Sequence, residues 1–136
     1  MQVKLFKGQS ATLEKSFTFE DIKLFAKLSG DKNPIHLDEE FASKTIFKKN
    51  IVHGALINSL FSNLLANQLP GNGCIYLSQH TQFKNAVFPD DIILATVEII
   101  DLREDKPIAV LKTMCYNKTK QNIACEGEAV VKYLKN

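Results

Sequence analysis

The stretch HGALINSLFSNLLANQL, residues 53–69, decides the fold. Apolar residues stand at 55, 56, 57, 60, 61, 64, 65, 66 and 69, which covers most of the circumference of a helix. A helix that is apolar nearly all round is expected to be buried. The stretch contains no Asp, Glu, Lys or Arg. Its polar residues (Asn58, Ser59, Ser62, Asn63, Asn67 and Gln68) suit a buried helix with a few satisfied polar contacts. Pro70 and Gly71 stop it.

Downstream the periodicity changes from helical to alternating. Strands are expected over residues 74–83, 92–103, 108–117 and 123–134, with turns at Glu104-Asp105-Lys106-Pro107 and Lys118–Asn122. The last strand alternates well. Cys125, Gly127, Ala129, Val131 and Tyr133 fall on one face, with Glu126, Glu128 and Lys132 on the other. Strands joined by short turns pair antiparallel. The pattern is therefore α+β, a curled antiparallel sheet wrapped around one long central helix.

Upstream, residues 3–17 read as one or two short strands, with Thr12, Leu13 and Phe17 among the candidate positions. Thr18 and Asp21 have the spacing of a capping box. They open a helix to about Ser29 whose apolar side is Phe19, Ile22, Phe25, Ala26 and Leu28. Gly30 ends it. Pro34 disfavours helix at Asn33, so residues 31–36 read as a loop. Asp38 can cap a short helix to about Lys44, and residues 45–52 form a second loop.

A chain of 136 residues suits one domain, here 1–136, and can bury about two-thirds of its unfolded surface. The net charge of +2 comes from lysines scattered among acids, which argues against a nucleic-acid partner. Lys48-Lys49 is a short basic spot able to attract a phosphate on a small ligand, although a solvated surface is the commoner fate of such pairs. Cys74, Cys115 and Cys125 show no metal-ligand spacing. They read as small buried apolar residues in a reducing compartment. The N-terminus lacks the apolar core of a signal peptide, and no run reaches the ~18 apolar residues of a membrane span. A cytoplasmic protein without membrane partners is expected.

Three histidines are present: His36, His53 and His80. His80 sits in a strand pattern. His36 lies in a loop five residues after Asp31, and loops on a rigid scaffold carry function disproportionately. A carboxylate and an imidazole can together hold a water, deprotonate it and pass a proton on. Partial burial of Asp31 would raise its pKa and suit that task. At the start of the central helix, N–H groups lack intrahelical partners and the dipole is positive. Gly54 lets a ligand approach its N–H closely and stabilise a developing oxyanion there. The ordinary alternative for His53-Gly54 is a plain helix start. Ser62 can bond a loop carboxylate such as Asp31, or bond back to the Asn58 carbonyl.

LSGDKNPIHLDEEFA (28–42) resembles the hydratase-2 motif of the MaoC-like, (R)-specific enoyl-CoA hydratases. The motif elements here are Gly30, Asp31, Asn33, Pro34, Ile35, His36 and Ala42. The resemblance continues through 51–65, 75–91, 103–109 and 127–131, nearly the whole chain. It implies a homodimer of the hot-dog fold that reversibly adds water, syn, to trans-2-enoyl-CoA, giving (R)-3-hydroxyacyl-CoA. The length matches short family members that supply polyhydroxyalkanoate synthesis. By resemblance Asp31 is the general base, His36 holds and activates the water, and the Gly54 N–H binds the thioester oxygen. Ser62, His53 and Asn33 are further substrate-binding positions, and Leu65 and Val130 are candidate walls of the acyl pocket. Lys84 is a candidate for the phosphates of coenzyme A. No metal and no cofactor are implied, since coenzyme A is part of the substrate.

Other readings stay in view. Many thioesterases and acyl-carrier-protein dehydratases of this fold place an acid on the central helix, and residues 54–69 hold none. A non-catalytic acyl-CoA-binding module would not require the intact Asp31/His36 pair.

Overall fold

The computed structural model describes residues 4–135, so the residue-3 end of the expected first strand lies outside the described residues. The chain runs β1 (Ser10–Lys15), α1 (Phe19–Ser29), α2 (Pro34–Leu37), α3 (Glu39–Ser43), α4 (Gly54–Asn67), β2 (Ile75–Phe83), β3 (Ile93–Leu102), β4 (Ile108–Asn117) and β5 (Asn122–Lys132). The five strands form one antiparallel sheet in the order β1-β3-β4-β5-β2. Short turns place β3, β4 and β5 side by side. β2 instead crosses to the far edge, where Ile75 pairs with Lys132 and Phe83 with Cys125. This is the α+β hot-dog architecture, with α4 lying across the curled sheet.

The core forms between α4 and the sheet. Ile57, Leu60, Phe61, Leu64 and Leu65 are buried against residues such as Val97, Ile99, Leu111, Ala129 and Val131. Each of the larger side chains among them, Val, Leu, Ile or Phe, contributes about 1.5–3 kcal/mol on burial. Cys115 and Cys125 are buried partners across β4 and β5, whereas Cys74 is only half-buried and donates to the Leu65 carbonyl (3.1 Å).

Burial of α4 is one-sided, contrary to the expectation of cover on most sides. Ala55, Ser59, Ser62 and Ala66 form an exposed stripe, with Asn63 and Asn67 beside it. The reason is composition: the small and polar residues collect on the outer face, and a single five-stranded sheet covers only the other.

α1 begins as read. The Asp21 N–H donates to Thr18 Oγ1 (3.1 Å) and the Thr18 N–H to Asp21 Oδ2 (2.9 Å). Gly30 closes it at φ 83°, a left-handed value natural for glycine. Only Ile22 and Ala26 are buried on this helix, and Leu28 is 83% exposed despite its place in the expected apolar side.

The reading of 31–36 as loop holds only to Asn33. Pro34–Leu37 is one helical turn. Proline tolerates the first helical position because its missing N–H needs no partner there, and Asn33 accepts from the Ile35 N–H to cap the turn (3.2 Å).

Candidate active site

Asp31, His36 and His53 converge: one side-chain ligand atom from each lies within 4.8 Å of the others. Local hydrogen bonds set each group. Gly30 turns the chain out of α1, and the Asp31 N–H donates to Ser29 Oγ (3.1 Å), whose hydroxyl donates to the Phe25 carbonyl (2.7 Å). The Asn33 N–H donates to Asp31 Oδ1 (3.2 Å). That leaves Oδ2 with no bond among the described residues. Asp31 is exposed, without the partial burial that would suit a general base, because nothing among the described residues covers the segment between α1 and α2.

His36 is 8% exposed and its Nδ1 lies 2.8 Å from the Ile51 carbonyl. A carbonyl only accepts, so Nδ1 carries the proton and donates. In the neutral ring Nε2 then offers its lone pair. The 45–52 loop is pinned behind this contact. Asn50 Nδ2 donates to the carbonyls of Ile35 (3.0 Å) and Asp38 (3.2 Å), and the Ile51 N–H donates to the Ile35 carbonyl (3.3 Å).

His53 is 1% exposed. Its ring stacks on His36, with centroids 3.8 Å apart and planes at 23°, and meets Phe25 edge-on at 4.8 Å. Its Nε2 donates to the Asp31 carbonyl (3.0 Å), while Nδ1 is buried with no partner. Burial pushes this imidazole below its ordinary pKa; the bond to the Asp31 carbonyl opposes the shift and the nearby His36 adds to it. Protonation would bury an N–H without an acceptor, costing about 1–3 kcal/mol, so His53 is the neutral support beneath the pair.

The three side chains are close enough to be considered as a metal site. The His36 and His53 rings, however, are stacked, with centroids 3.8 Å apart and planes at 23°, and one nitrogen of each already bonds a main-chain carbonyl. Two imidazoles held face to face are poorly aimed at one ion at about 2.0–2.1 Å. The arrangement suits acid–base work.

α4 starts directly after His53. Side chains cap α1, α2 and α3 (Thr18, Asn33, Asp38), but among the described residues none caps α4. Its N-terminus opens on a groove of about 410 Å³ walled by Phe47, Ile51, Gly54, Ile57, Phe83 and Val87. A Cβ on Gly54 would lie 3.0 Å from the Phe83 ring, so any larger residue here would have to displace that ring. An anion in the groove would meet unpaired N–H groups and the positive end of the helix dipole.

The remaining sequence candidates fall elsewhere. Ser62 is exposed on the outer stripe of α4 and makes no bond to Asp31. Asn33 is engaged in capping α2. Leu65 is buried between α4 and the sheet, whereas Val130 lies on the face of β5 opposite Ala129 and Val131. One chain therefore does not bring Leu65 and Val130 together. Lys84 is exposed at the groove rim and donates to Gln82 Oε1 (3.0 Å). Ile51 and Asn50 were not singled out by sequence, and Phe25 only as part of the apolar side of α1. Their roles run through main-chain carbonyls and ring packing, which leave no motif.

A surface carboxylate, an imidazole with one nitrogen committed to a carbonyl and a helix N-terminus without a side-chain cap thus stand on a hot-dog scaffold, an arrangement chemically suited to acid–base work. The sequence profile of the MaoC like domain matches residues 5–122, and the chain belongs to that family. It is 52% identical over 125 residues to an (R)-specific enoyl-CoA hydratase of Aeromonas caviae, covering 92% of each chain. A second enzyme of that description, from Rhodospirillum rubrum, is 42% identical over 91% of this chain and 85% of its own. The solved structure of the (R)-hydratase from A. caviae involved in PHA biosynthesis superposes with a TM-score of 0.92 at 51% identity, over 96% of this chain and 98% of that one.

Proposed function

We propose that this chain is an (R)-specific enoyl-CoA hydratase that reversibly adds water to trans-2-enoyl-CoA. The observation that carries the reading is the meeting of the Asp31 carboxylate with a His36 ring whose Nδ1 is committed to the Ile51 carbonyl. One water donates one O–H to Asp31 and the other to His36 Nε2. Its lone pair then points at the β-carbon. As the C–O bond forms, Asp31 takes a water proton, and the electron pair of the double bond moves through the α-carbon to the thioester oxygen. The Gly54 N–H and the helix dipole hold that oxyanion. The proton then passes to the α-carbon from the same side, so that O–H and H add syn. The cycle is closed with respect to protons and electrons, so no cofactor is needed.

The active form in this reading is a homodimer. β2 is an edge strand with Ile75, Leu77 and Phe83 each at least half exposed, and an uncovered edge of this kind invites pairing. Among the described residues no helix is long and apolar enough to cross a membrane.

The direct test follows loss of the enoyl-thioester absorbance of crotonyl-CoA, with Asp31→Asn beside the wild type, and assays the product with an (R)-specific 3-hydroxyacyl-CoA dehydrogenase. Turnover with an (R) product and an inactive variant is expected. Release of free thiol without hydration would make the chain a thioesterase. Light scattering at micromolar concentration should give twice the 15.3 kDa chain mass; monomer alone would refute the dimer.

A further inference from the structure

The thioester groove does not end at Gly54. Phe47 walls both that groove and a second cavity of about 440 Å³. The two follow the seam between residues 47–52 and 83–91, which the Val52 N–H closes by donating to the Val87 carbonyl (2.8 Å). The lining changes along the way. Near Gly54 it is apolar, with Ile51, Ile57 and Val87. At the far end stand Phe19, Phe88 and three lysines, Lys48, Lys49 and Lys120.

The charges there are unequally engaged. Asp91 is 4% exposed, accepts from the Phe88 N–H (3.0 Å) and Asn117 Nδ2 (2.8 Å), and pairs with Lys120 at 3.5 Å. Lys120 Nζ also lies 5.2 Å from the Phe88 ring centroid. Lys48 and Lys49 are exposed and form no ion pair among the described residues; Glu39 is the acid facing them on the lining. Lys48 (φ 66°), Asp90 (72°) and Gln121 (55°) adopt left-handed backbone, and each lies on this lining or one residue from it. Such values are uncommon outside glycine, so the rim is held in a specific shape.

We infer that this second cavity receives the nucleotide end of coenzyme A, with Lys48 and Lys49 on its phosphates and the phenylalanine rings against the adenine, while the pantetheine arm passes Phe47 to set the thioester at Gly54. The inference rests on the reaction proposed above and adds a site that makes the nucleotide itself a recognition element. Lysine is a good point-charge partner for phosphate, and an aromatic face suits a base.

The test compares crotonyl-CoA with crotonyl-pantetheine, which lacks the nucleotide, in the wild type and in the K48Q/K49Q variant. Both lysines are exposed, so the fold should persist, which circular dichroism checks. The variant should raise KM for crotonyl-CoA about tenfold with kcat within about twofold, since two charge-assisted contacts on a solvated rim are lost. The penalty should disappear with crotonyl-pantetheine. Calorimetry with adenosine 3′,5′-bisphosphate should show binding by the wild type that the variant weakens. An unchanged KM for crotonyl-CoA in an active variant would overturn the inference and leave the hydratase standing. Lysine-dependent binding of the bisphosphate by a wild type that hydrates neither thioester would do the reverse.

Discussion

His36 and His53 lie ring on ring, 3.8 Å between centroids, and each uses one nitrogen to donate to a main-chain carbonyl of the active-site loops: Ile51 for His36, Asp31 for His53. The stack ties together two segments far apart in sequence. It also makes a double positive charge unfavourable, because the two rings share one low-dielectric pocket. His53 is the buried member, so it is the one held neutral.

Stability should therefore depend on pH through His53. Its folded pKa lies below the unfolded value, near about 6.5. Between those two values the unfolded chain binds a proton that the native one does not, so stability rises with pH in that window and is lost as pH falls through it. Denaturant titrations from pH 8 to 5 should show a decline beginning near 6.5, with a limiting slope from this group of about 1.4 kcal/mol per pH unit. His53→Gln should flatten that decline. Equal slopes in the two proteins would show that His53 is not the titrating group.

Asp31→Asn should separate chemistry from folding. The side chain is exposed, so stability should change by no more than about 0.5 kcal/mol. Hydration should fall by about 10²–10⁴ with KM little altered. His36→Gln should show a similar loss of kcat. It should also cost about 1–3 kcal/mol of stability, since the Ile51 carbonyl loses its donor. The paired measurement is kcat alongside a urea midpoint for each variant.

Gly54→Ala probes the oxyanion position. The new Cβ meets the edge of the Phe83 ring at 3.0 Å, and that ring belongs to a half-exposed side chain that can swing aside. Stability should drop by only about 1 kcal/mol. The methyl group would nevertheless occupy the approach to the N–H, and turnover should fall by about 10²-fold. Adding Phe83→Ala should restore stability without restoring kcat; recovery of both would mean that crowding, and not loss of the oxyanion donor, caused the defect.

Gly127 is a different kind of glycine. A Cβ there would sit 1.7 Å from the His80 carbonyl oxygen, which is backbone of the neighbouring strand and cannot swing away. Gly127→Ala should force β2 from β5 and cost about 3 kcal/mol or more. Thermal melting would show it as a lowered midpoint, and an unchanged Tm would contradict the close strand approach.

Much of this was legible in the sequence. The capping box, Gly30, the four downstream strands and the central helix follow from periodicity and end signals within a chain neighbourhood. Strand order was not, because β2 joins β5 across some forty residues and only burial in three dimensions selects that pairing. Proline read as a helix breaker concealed the turn at Pro34–Leu37, where the same ring serves as a helix starter. Asp31 and His36 stood out because they are close in the chain and chemically matched. The contacts that orient them did not: His53 reaches Asp31 over 22 residues and Ile51 reaches His36 over 15, both through backbone carbonyls that every residue possesses. Ser62 illustrates the opposite error, since a hydroxyl on an apolar helix drew attention and proves to face outward.

Ile51 holds two offices that its covalent structure keeps apart. Its carbonyl fixes the His36 proton on Nδ1, and its side chain forms part of the groove wall beside Gly54. Replacing isoleucine changes the wall and leaves the carbonyl in place. Selection acting on this position could widen, narrow or reshape the channel over generations without disturbing proton traffic at the imidazole. Substrate preference can thus drift independently of catalytic competence, and an engineer seeking a new acyl range has a residue to vary that leaves the acid–base pair intact.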